Sequence, residues 1–102
     1  MRWRVELRPE VERDVTEAAA WYDSKQPGLG EEFTREILRV WDTLEENPFL
    51  ASRRHSVKNI RWRYPERFPY RFIYEVLEAQ QIVVVAAVLH AARSNRSWKQ
   101  RI

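Results

Sequence analysis

Alternating apolar and charged residues at the start of the chain predict a strand, and a wider apolar spacing after it predicts a helix. In residues 2–7, Trp3, Val5 and Leu7 fall on one face of a strand, while the charged side chains fall on the other. Pro9 suits the first turn of a helix, where its missing N–H is not needed. The apolar residues that follow recur at helical spacing and share one face: Val11, Val15, Ala18 and Tyr22.

A second helix is predicted after a short reversal at Pro27-Gly28-Leu29-Gly30, where the glycines allow backbone angles closed to other residues. Its apolar stripe contains Phe33, Ile37, Val40, Trp41 and Leu44. Asn47-Pro48 stops this helix, because a residue before proline disfavours helical angles. The two helices are therefore expected to form an antiparallel hairpin.

Strand-forming residues dominate the chain after a loop that is expected from Phe49 to Ser56. Three strands are predicted: residues 57–64, 68–77 and 81–90. Pro69 should mark the beginning or the edge of the second strand, and Glu78-Ala79-Gln80 should form the turn after it. The third strand lacks alternation from Ile82 to Leu89, as expected of a central strand covered on both faces.

A short tail completes the predicted fold. Residues 94–102 are expected to form one or two helical turns, with Ser94 as their cap. The order of elements predicts an α+β fold, in which the helical hairpin packs on an antiparallel sheet of about four strands. A length of 102 residues fits one domain, over residues 1–102.

Composition excludes several kinds of site. The chain has no Cys and two isolated His residues, so we expect no disulfide framework, no four-ligand zinc site and no cofactor. No apolar stretch reaches the roughly 18 residues of a membrane span. The first six residues also lack the apolar core of a signal peptide. We therefore expect a soluble, cytoplasmic protein with no membrane partner.

Charge is distributed unevenly along the chain. Residues 1–50 contain 7 Lys and Arg against 12 Asp and Glu, a net charge of −5, whereas residues 51–102 contain 11 against 3, a net charge of +8. Clustered positive charge suits an acidic or nucleic-acid partner facing the C-terminal half. Alternatively, the excess Arg keeps an aromatic-rich sheet soluble.

Two motifs in the C-terminal half resemble those of a known family. Arg67-Phe-Pro-Tyr-Arg-Phe-Ile-Tyr74 is followed by Val88-Leu-His-Ala-Ala-Arg93 and then by Trp98. Together with Pro9, Trp21-Tyr22 and the hairpin motifs above, their order and spacing resemble the ParE/RelE toxins of bacterial type II toxin–antitoxin systems. The resemblance covers nearly the whole chain and implies a RelE/ParE-like fold.

The resemblance implies two alternative targets. ParE-like toxins, of the plasmid-stabilisation type, inhibit DNA gyrase, whereas RelE-like toxins are endoribonucleases that cut mRNA on the ribosome. Both stop growth, and both are neutralised by a cognate antitoxin in a toxin–antitoxin hetero-oligomer. A third alternative is an inactive relative that only binds its antitoxin. In each case the resemblance implies a bacterial, cytoplasmic protein.

Under the nuclease alternative, a set of basic residues holds the scissile phosphate and orients the 2′-hydroxyl without a metal. The positions that match are Arg61, Arg63, Arg71 and Arg93, with His90 as a candidate proton carrier. We expect these arginines to converge if this alternative holds. Otherwise they form a solvated outer face of the sheet or an anchor for an acidic antitoxin, and His90 is a hydrogen-bonded structural residue.

Trp98 favours the ParE-like alternative. RelE-like enzymes usually place Tyr or His at this point of the tail as a general acid or base, and an indole N–H is only a donor. Trp98 is expected to be either a buried plug that ties the tail to the sheet or an exposed anchor for the target. No catalytic residue is therefore assigned, and the protein is expected to be an inhibitor rather than an enzyme.

The candidate residues for binding the target or the antitoxin combine the basic positions with aromatic residues. They are Arg61, Arg63, Arg67, Arg71, Arg93, Arg96, Trp98, Lys99, Arg101, Trp21, Tyr22 and Trp41. The three aromatic residues of the helical hairpin are expected to lie in the core or to line a groove for the antitoxin.

Overall fold

A computed structural model describes residues 2–50, 52–55, 59–93 and 96–101, and these residues form three helices and one five-stranded sheet. The strands are β1 (Arg4–Leu7), β2 (Arg53–Arg54), β3 (Ile60–Arg63), β4 (Tyr70–Leu77) and β5 (Ile82–His90). The helices are α1 (Glu10–Lys25), α2 (Leu29–Glu46) and α3 (Arg96–Lys99). The predicted α+β class is confirmed.

The sheet differs from the prediction in direction and in strand number. Its order is β1-β5-β4-β3-β2, with β1 parallel to β5 and the other pairs antiparallel. An antiparallel sheet of about four strands was therefore wrong, because the sheet is mixed and has five. Residue alternation shows which face of a strand is buried, but it does not show the direction of the neighbouring strand. The additional strand, β2, lies in the predicted loop and is too short to carry a period.

Observed strand ends lie close to the predicted ones. Val57 and Lys58, predicted to begin the first of the three C-terminal strands, lie outside the described residues, as does the predicted cap Ser94. Pro69 immediately precedes β4, as predicted. The turn after β4 is a short 3-10 turn, which Gln81 completes with a left-handed φ of 56°.

Local residue types explain the helical hairpin. Pro9 lies at the N-cap of α1, and Gly28 adopts a φ of 89° between α1 and α2. Gly30 is buried where the helices approach, since a Cβ built there would lie 2.3 Å from the carbonyl oxygen of Ala19. The Gly30 N–H also donates to Asp23 Oδ1 at 2.8 Å. The predicted reversal is thus fixed by both glycines.

Both faces of the sheet are covered. On one face, the hairpin packs against Phe72, Tyr74 and Val76 of β4 and against inward residues of β5. On the opposite face, here called the outer face, a smaller cluster consists of Ile60, Ile73, Ala87, Leu89 and Trp98. β5 contributes to both clusters, which confirms that its unbroken apolar run is a central strand.

Asp14 completes the edge of β5 beyond the end of β1. The Arg8 N–H donates to the Val85 carbonyl, and the ladder with β1 extends no further. Beyond it, the Val88 N–H donates to Asp14 Oδ2 at 3.0 Å, and Arg101 Nη1 donates to the Ala86 carbonyl at 3.1 Å. Side chains thus satisfy strand groups that would otherwise be unpaired.

Arg101 and Asp14 also pair with each other. The Arg101 Nη1–Asp14 Oδ2 distance is 2.6 Å, and the Nη2–Oδ1 distance is 3.1 Å, which is a bidentate arrangement. The Arg101 side chain is 17% exposed and that of Asp14 is 7% exposed. This pair joins α1, the edge of β5 and the tail at one point.

Asp14→Ala is expected to lower the free energy of unfolding by about 3 kcal/mol, because it leaves Arg101 and the Val88 N–H without their buried acceptor. Glu12→Ala, at an exposed position of the same helix, should change it by less than about 0.5 kcal/mol. Urea unfolding of both variants measures the difference. Equal urea midpoints for the two variants would show that the Asp14–Arg101 pair does not contribute to stability.

Candidate partner-binding site

The basic residues of the nuclease alternative lie on two faces of the sheet. Arg61 and Arg63 are paired in register with Tyr74 and Phe72, whose side chains pack towards the hairpin. Arg71 instead points to the outer face, where its guanidinium lies 5.7 Å from the ring centroid of Trp62. The expected convergence of Arg61 and Arg63 with Arg71 is therefore wrong.

Arg61 and Arg63 bind neighbouring segments of the chain. Arg63 is 6% exposed. Its Nη1 donates to Thr43 Oγ1, and its Nη2 donates to the Asn47 carbonyl at 2.8 Å. These acceptors lie at the C-terminal end of α2, where the helix dipole favours a positive charge. Arg61 Nη1 donates to Ser52 Oγ at 3.0 Å. The alternative of a solvated outer face is wrong for both residues, because they lie on the side of the sheet that the hairpin covers.

Arg71 and Arg93 are linked through the backbone. Arg71 is 7% exposed, and its Nη2 donates to the Arg93 carbonyl at 2.7 Å. Arg71 thereby fixes the turn that follows β5. The guanidinium of Arg93 is exposed and has no ion-pair partner among the residues that the structure describes.

The tail is fixed at two of its four candidate positions. Trp98 is 1% exposed within the outer cluster, which confirms the buried plug and excludes an exposed anchor. Arg101 binds Asp14, whose hydrogen bond raises the pKa of the guanidinium above its ordinary value. Arg96 and Lys99 are exposed on α3. Trp98 and Arg101 thus have structural positions, and Arg96 and Lys99 remain surface candidates.

Arg67 lies in the connection before β4 and binds two carboxylates of α2. Its distances are 3.2 Å from Nη2 to Glu32 Oε2 and 3.5 Å from Nε to Glu36 Oε2. The hydrogen bond to Glu32 is the main cause that raises the Arg67 pKa. Glu36 is buried, so this contact holds the connection against the hairpin.

Four of the candidates predicted from the sequence come together in one cleft of about 510 Å³ between α1 and the adjoining ends of β4 and β5. They are Trp21, Tyr22, His90 and Arg93. Its other lining residues are Asp14, Glu17, Ala18, Pro69, Tyr70, Val88 and Leu89. We call this site the aromatic cleft.

Two tyrosines, Tyr22 and Tyr70, line the aromatic cleft. Their ring centroids lie 6.0 Å apart, and neither hydroxyl has a hydrogen-bond partner within the described ranges. Burial raises the pKa of both tyrosines. The positive charge of Arg93 opposes this rise at Tyr70. Both phenols are thus uncharged at neutral pH, and Tyr70 lies within electrostatic reach of Arg93.

His90 and Trp21 form opposite parts of the cleft wall. His90 Nδ1 accepts the Ala92 N–H at 3.0 Å, and its ring lies 5.3 Å from that of Tyr70. The hydrogen bond expected of a structural histidine is therefore present. Trp21 is 54% exposed, and the Lys25 ammonium lies 5.1 Å from its ring centroid. An exposed aromatic surface therefore borders the cleft.

Trp41 lies elsewhere, in a groove of about 280 Å³ between the two helices and the end of β1. This hairpin groove is lined by Leu7, Val11, Glu12, Val15, Thr16, Thr34, Ile37, Leu38, Trp41 and Phe72. Leu7 and Leu38 are 45% and 55% exposed. Their exposure leaves an apolar surface open to a partner.

Sequence reasoning missed three residues of the aromatic cleft. Tyr70 shares the alternation of Phe72 and Tyr74 and packs against the same core, but it opens β4 beside His90 and is only half-buried. Asp14 and Glu17 were not considered. Asp14 carries a usable signal, since an acidic residue follows Val11 by three positions on the apolar face of α1. Such a residue needs a buried partner.

Within the described ranges, no cluster of three or more His, Cys, Asp or Glu side chains is arranged to hold a metal ion. None of the helices described there is both long and apolar enough to cross a bilayer.

A family model for the ParE toxin of type II toxin–antitoxin systems matches residues 5–95. The chain belongs to this ParE toxin family. The resemblance to ParE/RelE toxins, predicted from the motifs, is therefore confirmed. No curated protein sequence matches the chain significantly.

Solved toxin structures share the fold of this ParE-family chain. The chromosomal ParDE system of P. aeruginosa matches with a TM-score of 0.74 at 13% identity, covering 87% of this chain and 96% of that one. The archaeal RelE–RelB complex of Pyrococcus horikoshii gives 0.63 at 16%, with coverages of 92% and 100%. A mutant of E. coli RelE in the free state gives 0.61 at 19%, with coverages of 100% and 99%. The protein is a toxin of the ParE/RelE superfamily.

Proposed function

We propose that this toxin stops growth by binding and inhibiting DNA gyrase, and that a cognate antitoxin neutralises it in the bacterial cytoplasm. The observation that carries the proposal is the separation of the candidate nuclease arginines. Arg63 and Arg71 are both buried, on opposite faces of the sheet, and both donate to backbone carbonyls. Cations engaged in this way are poorly placed to hold one phosphate together.

The tail supports the same proposal. Trp98 lies at the position of the tail where RelE-like enzymes usually have a Tyr or a His. Its side chain is 1% exposed. An indole in a sealed cluster neither carries protons nor reaches a substrate. An inhibitor that acts by protein contact requires no such group.

Family relationships also favour the ParE-like alternative. The matching family model is that of ParE toxins, and the ParDE system has a higher TM-score than the RelE structures compared above. Identity to each structure is below 20%, so the structural match bears on fold. The target is inferred from the family and from the arrangement of the site.

Purified wild-type toxin is expected to inhibit DNA supercoiling by gyrase, and its induction in cells should produce an SOS response before any loss of mRNA. Arg61→Gln removes a cation that the nuclease alternative needs, but it keeps a donor for Ser52. It should therefore inhibit gyrase as the wild type does. Supercoiling assays and RNA sequencing after induction measure both effects. Rapid mRNA cleavage with unaffected gyrase would establish the endoribonuclease alternative, and no growth phenotype would favour an inactive antitoxin-binding relative.

The hairpin groove is the proposed seat of the antitoxin. An amphipathic helix buries one apolar face, and this groove offers Leu7, Leu38 and Trp41 with Glu12 as the charged residue of its lining. Acidic residues beside that helix would meet the basic C-terminal half of the toxin. The proposal thus assigns apolar contacts to the hairpin and ionic contacts to the sheet.

Leu38→Glu is expected to prevent neutralisation, because it places a carboxylate in an apolar contact without disturbing the core. Leu50→Glu is the matched control, since Leu50 is 67% exposed and lies outside the hairpin groove. Co-expression with the antitoxin should rescue growth for the control and fail for Leu38→Glu. Rescue of both toxins would place the antitoxin on another surface.

A further inference from the structure

The aromatic cleft presents hydrogen-bond donors that the protein itself does not use. The hydroxyls of Tyr22 and Tyr70, Nε2 of His90 and the guanidinium of Arg93 all belong to lining residues. None of these groups has a hydrogen-bond or ion-pair partner in the part of the chain that the structure describes. A ligand that accepts hydrogen bonds and carries negative charge would satisfy them.

One of the two carboxylates that line the cleft is already neutralised. The Asp14 carboxylate binds Arg101 at 2.6 Å and also accepts the Val88 N–H. Glu17 remains, on the exposed face of α1. Arg93 at the strand end and Lys25 above Trp21 give positive charge at two points of the rim. The cleft thus combines a positively charged end with an apolar, aromatic wall.

A carboxylate on α1 makes a nucleic acid a poor occupant. Glu17 is exposed and lines the cleft on the α1 side. A phosphate backbone with a charge on every nucleotide would run alongside this carboxylate and be repelled. A single carboxylate with an apolar neighbour meets Arg93 without this cost. A carboxylate beside an apolar side chain is a combination found at protein surfaces, so a protein segment fits the cleft better than a nucleic acid does.

We propose that the aromatic cleft receives a short segment of the gyrase surface, in which an Asp or Glu carboxylate binds Arg93 and an adjacent apolar side chain packs against Trp21. The tyrosine hydroxyls donate to the same carboxylate or to the segment's carbonyls. This inference rests on the proposed inhibition of gyrase and names the part of the toxin that makes the contact. Trp, Tyr and Arg are also the residue types that dominate binding energy at interfaces.

The target, rather than the antitoxin, fits this cleft because the two concave surfaces differ in chemistry. The hairpin groove has an apolar lining and no Arg, Lys or His, which suits the apolar face of a helix. The aromatic cleft has unused donors and a cation, which suit a single acidic side chain. Their separate linings allow each to be altered without changing the other.

Arg93 permits a clean test because its structural contacts use only its backbone. Its N–H donates to the His90 carbonyl at 2.9 Å, and its carbonyl accepts from Arg71. Arg93→Glu keeps both contacts and reverses the charge at the rim. Arg54→Glu makes the same change of net charge at an exposed residue of β2 that lies outside the aromatic cleft and has no ion pair among the described residues, and serves as the matched control.

Inhibition of supercoiling by purified gyrase, titrated with each toxin, provides the test. Arg93→Glu should require about 30-fold more protein than the wild type for half-inhibition, and Trp21→Ala about 10-fold more. Arg54→Glu should inhibit as the wild type does. Antitoxin binding and the melting temperature should be unchanged in all three, and Arg93→Gln replaces Arg93→Glu if that variant fails to fold.

Each other outcome overturns the inference. If the wild type inhibits gyrase and both cleft variants inhibit it equally well, the cleft is not the contact, although gyrase remains the target. If the cleft variants instead lose the antitoxin and keep gyrase inhibition, the antitoxin occupies the cleft. If the wild type itself leaves gyrase unaffected, the proposed function fails and the inference fails with it.

Discussion

The paired side chains of Asp14 and Arg101 complete a strand edge on which the rest of the molecule depends. β5 is an interior strand between β1 and β4, and β1 covers only its first half on one edge. Beyond Val85, the carboxylate and the guanidinium take the place of a neighbouring strand at the groups of Ala86 and Val88. The same pair holds α1 against β5 and attaches the tail. It therefore sets the position of one wall of the aromatic cleft.

Attachment of the tail has a second consequence, on the outer face of the sheet. Trp98 closes the cluster of Ile60, Ile73, Ala87 and Leu89, so that this face is a second core layer. Because both faces of the sheet are covered, two arginines on β3 and β4 make structural contacts. Arg63 binds the end of α2, and Arg71 fixes the turn after β5. Arg93, at that turn, keeps its guanidinium available to a partner.

The hairpin and the order of β3, β4 and β5 could be predicted because each depends on local signals. The apolar spacing of α2, the glycines before it and Pro69 before β4 act within a few residues of themselves. The direction of β1 could not be predicted, because β1 pairs with a strand 78 positions away in the sequence, as Arg4 does with Ile82. Local periodicity carries no information about such a distant partner.

The orientation of the arginines could be predicted only in part. Alternation correctly placed Arg61 and Arg63 together, and opposite Ile60 and Trp62. Alternation did not show which face of the sheet is exposed to solvent. Trp98 covers the outer face, so that both faces are apolar. The cleft was also out of reach, since Trp21 meets Tyr70 and His90 only when the hairpin lies on the sheet.

Contact between the aromatic cleft and gyrase is tested most directly by photo-crosslinking. A benzophenone amino acid at position 21, in place of Trp21, would be irradiated with purified gyrase, with the same group at the exposed Arg53 as the control. We predict a crosslink to gyrase from position 21 that an excess of wild-type toxin suppresses, and none from position 53. Crosslinking from position 53 alone would contradict a contact through the cleft.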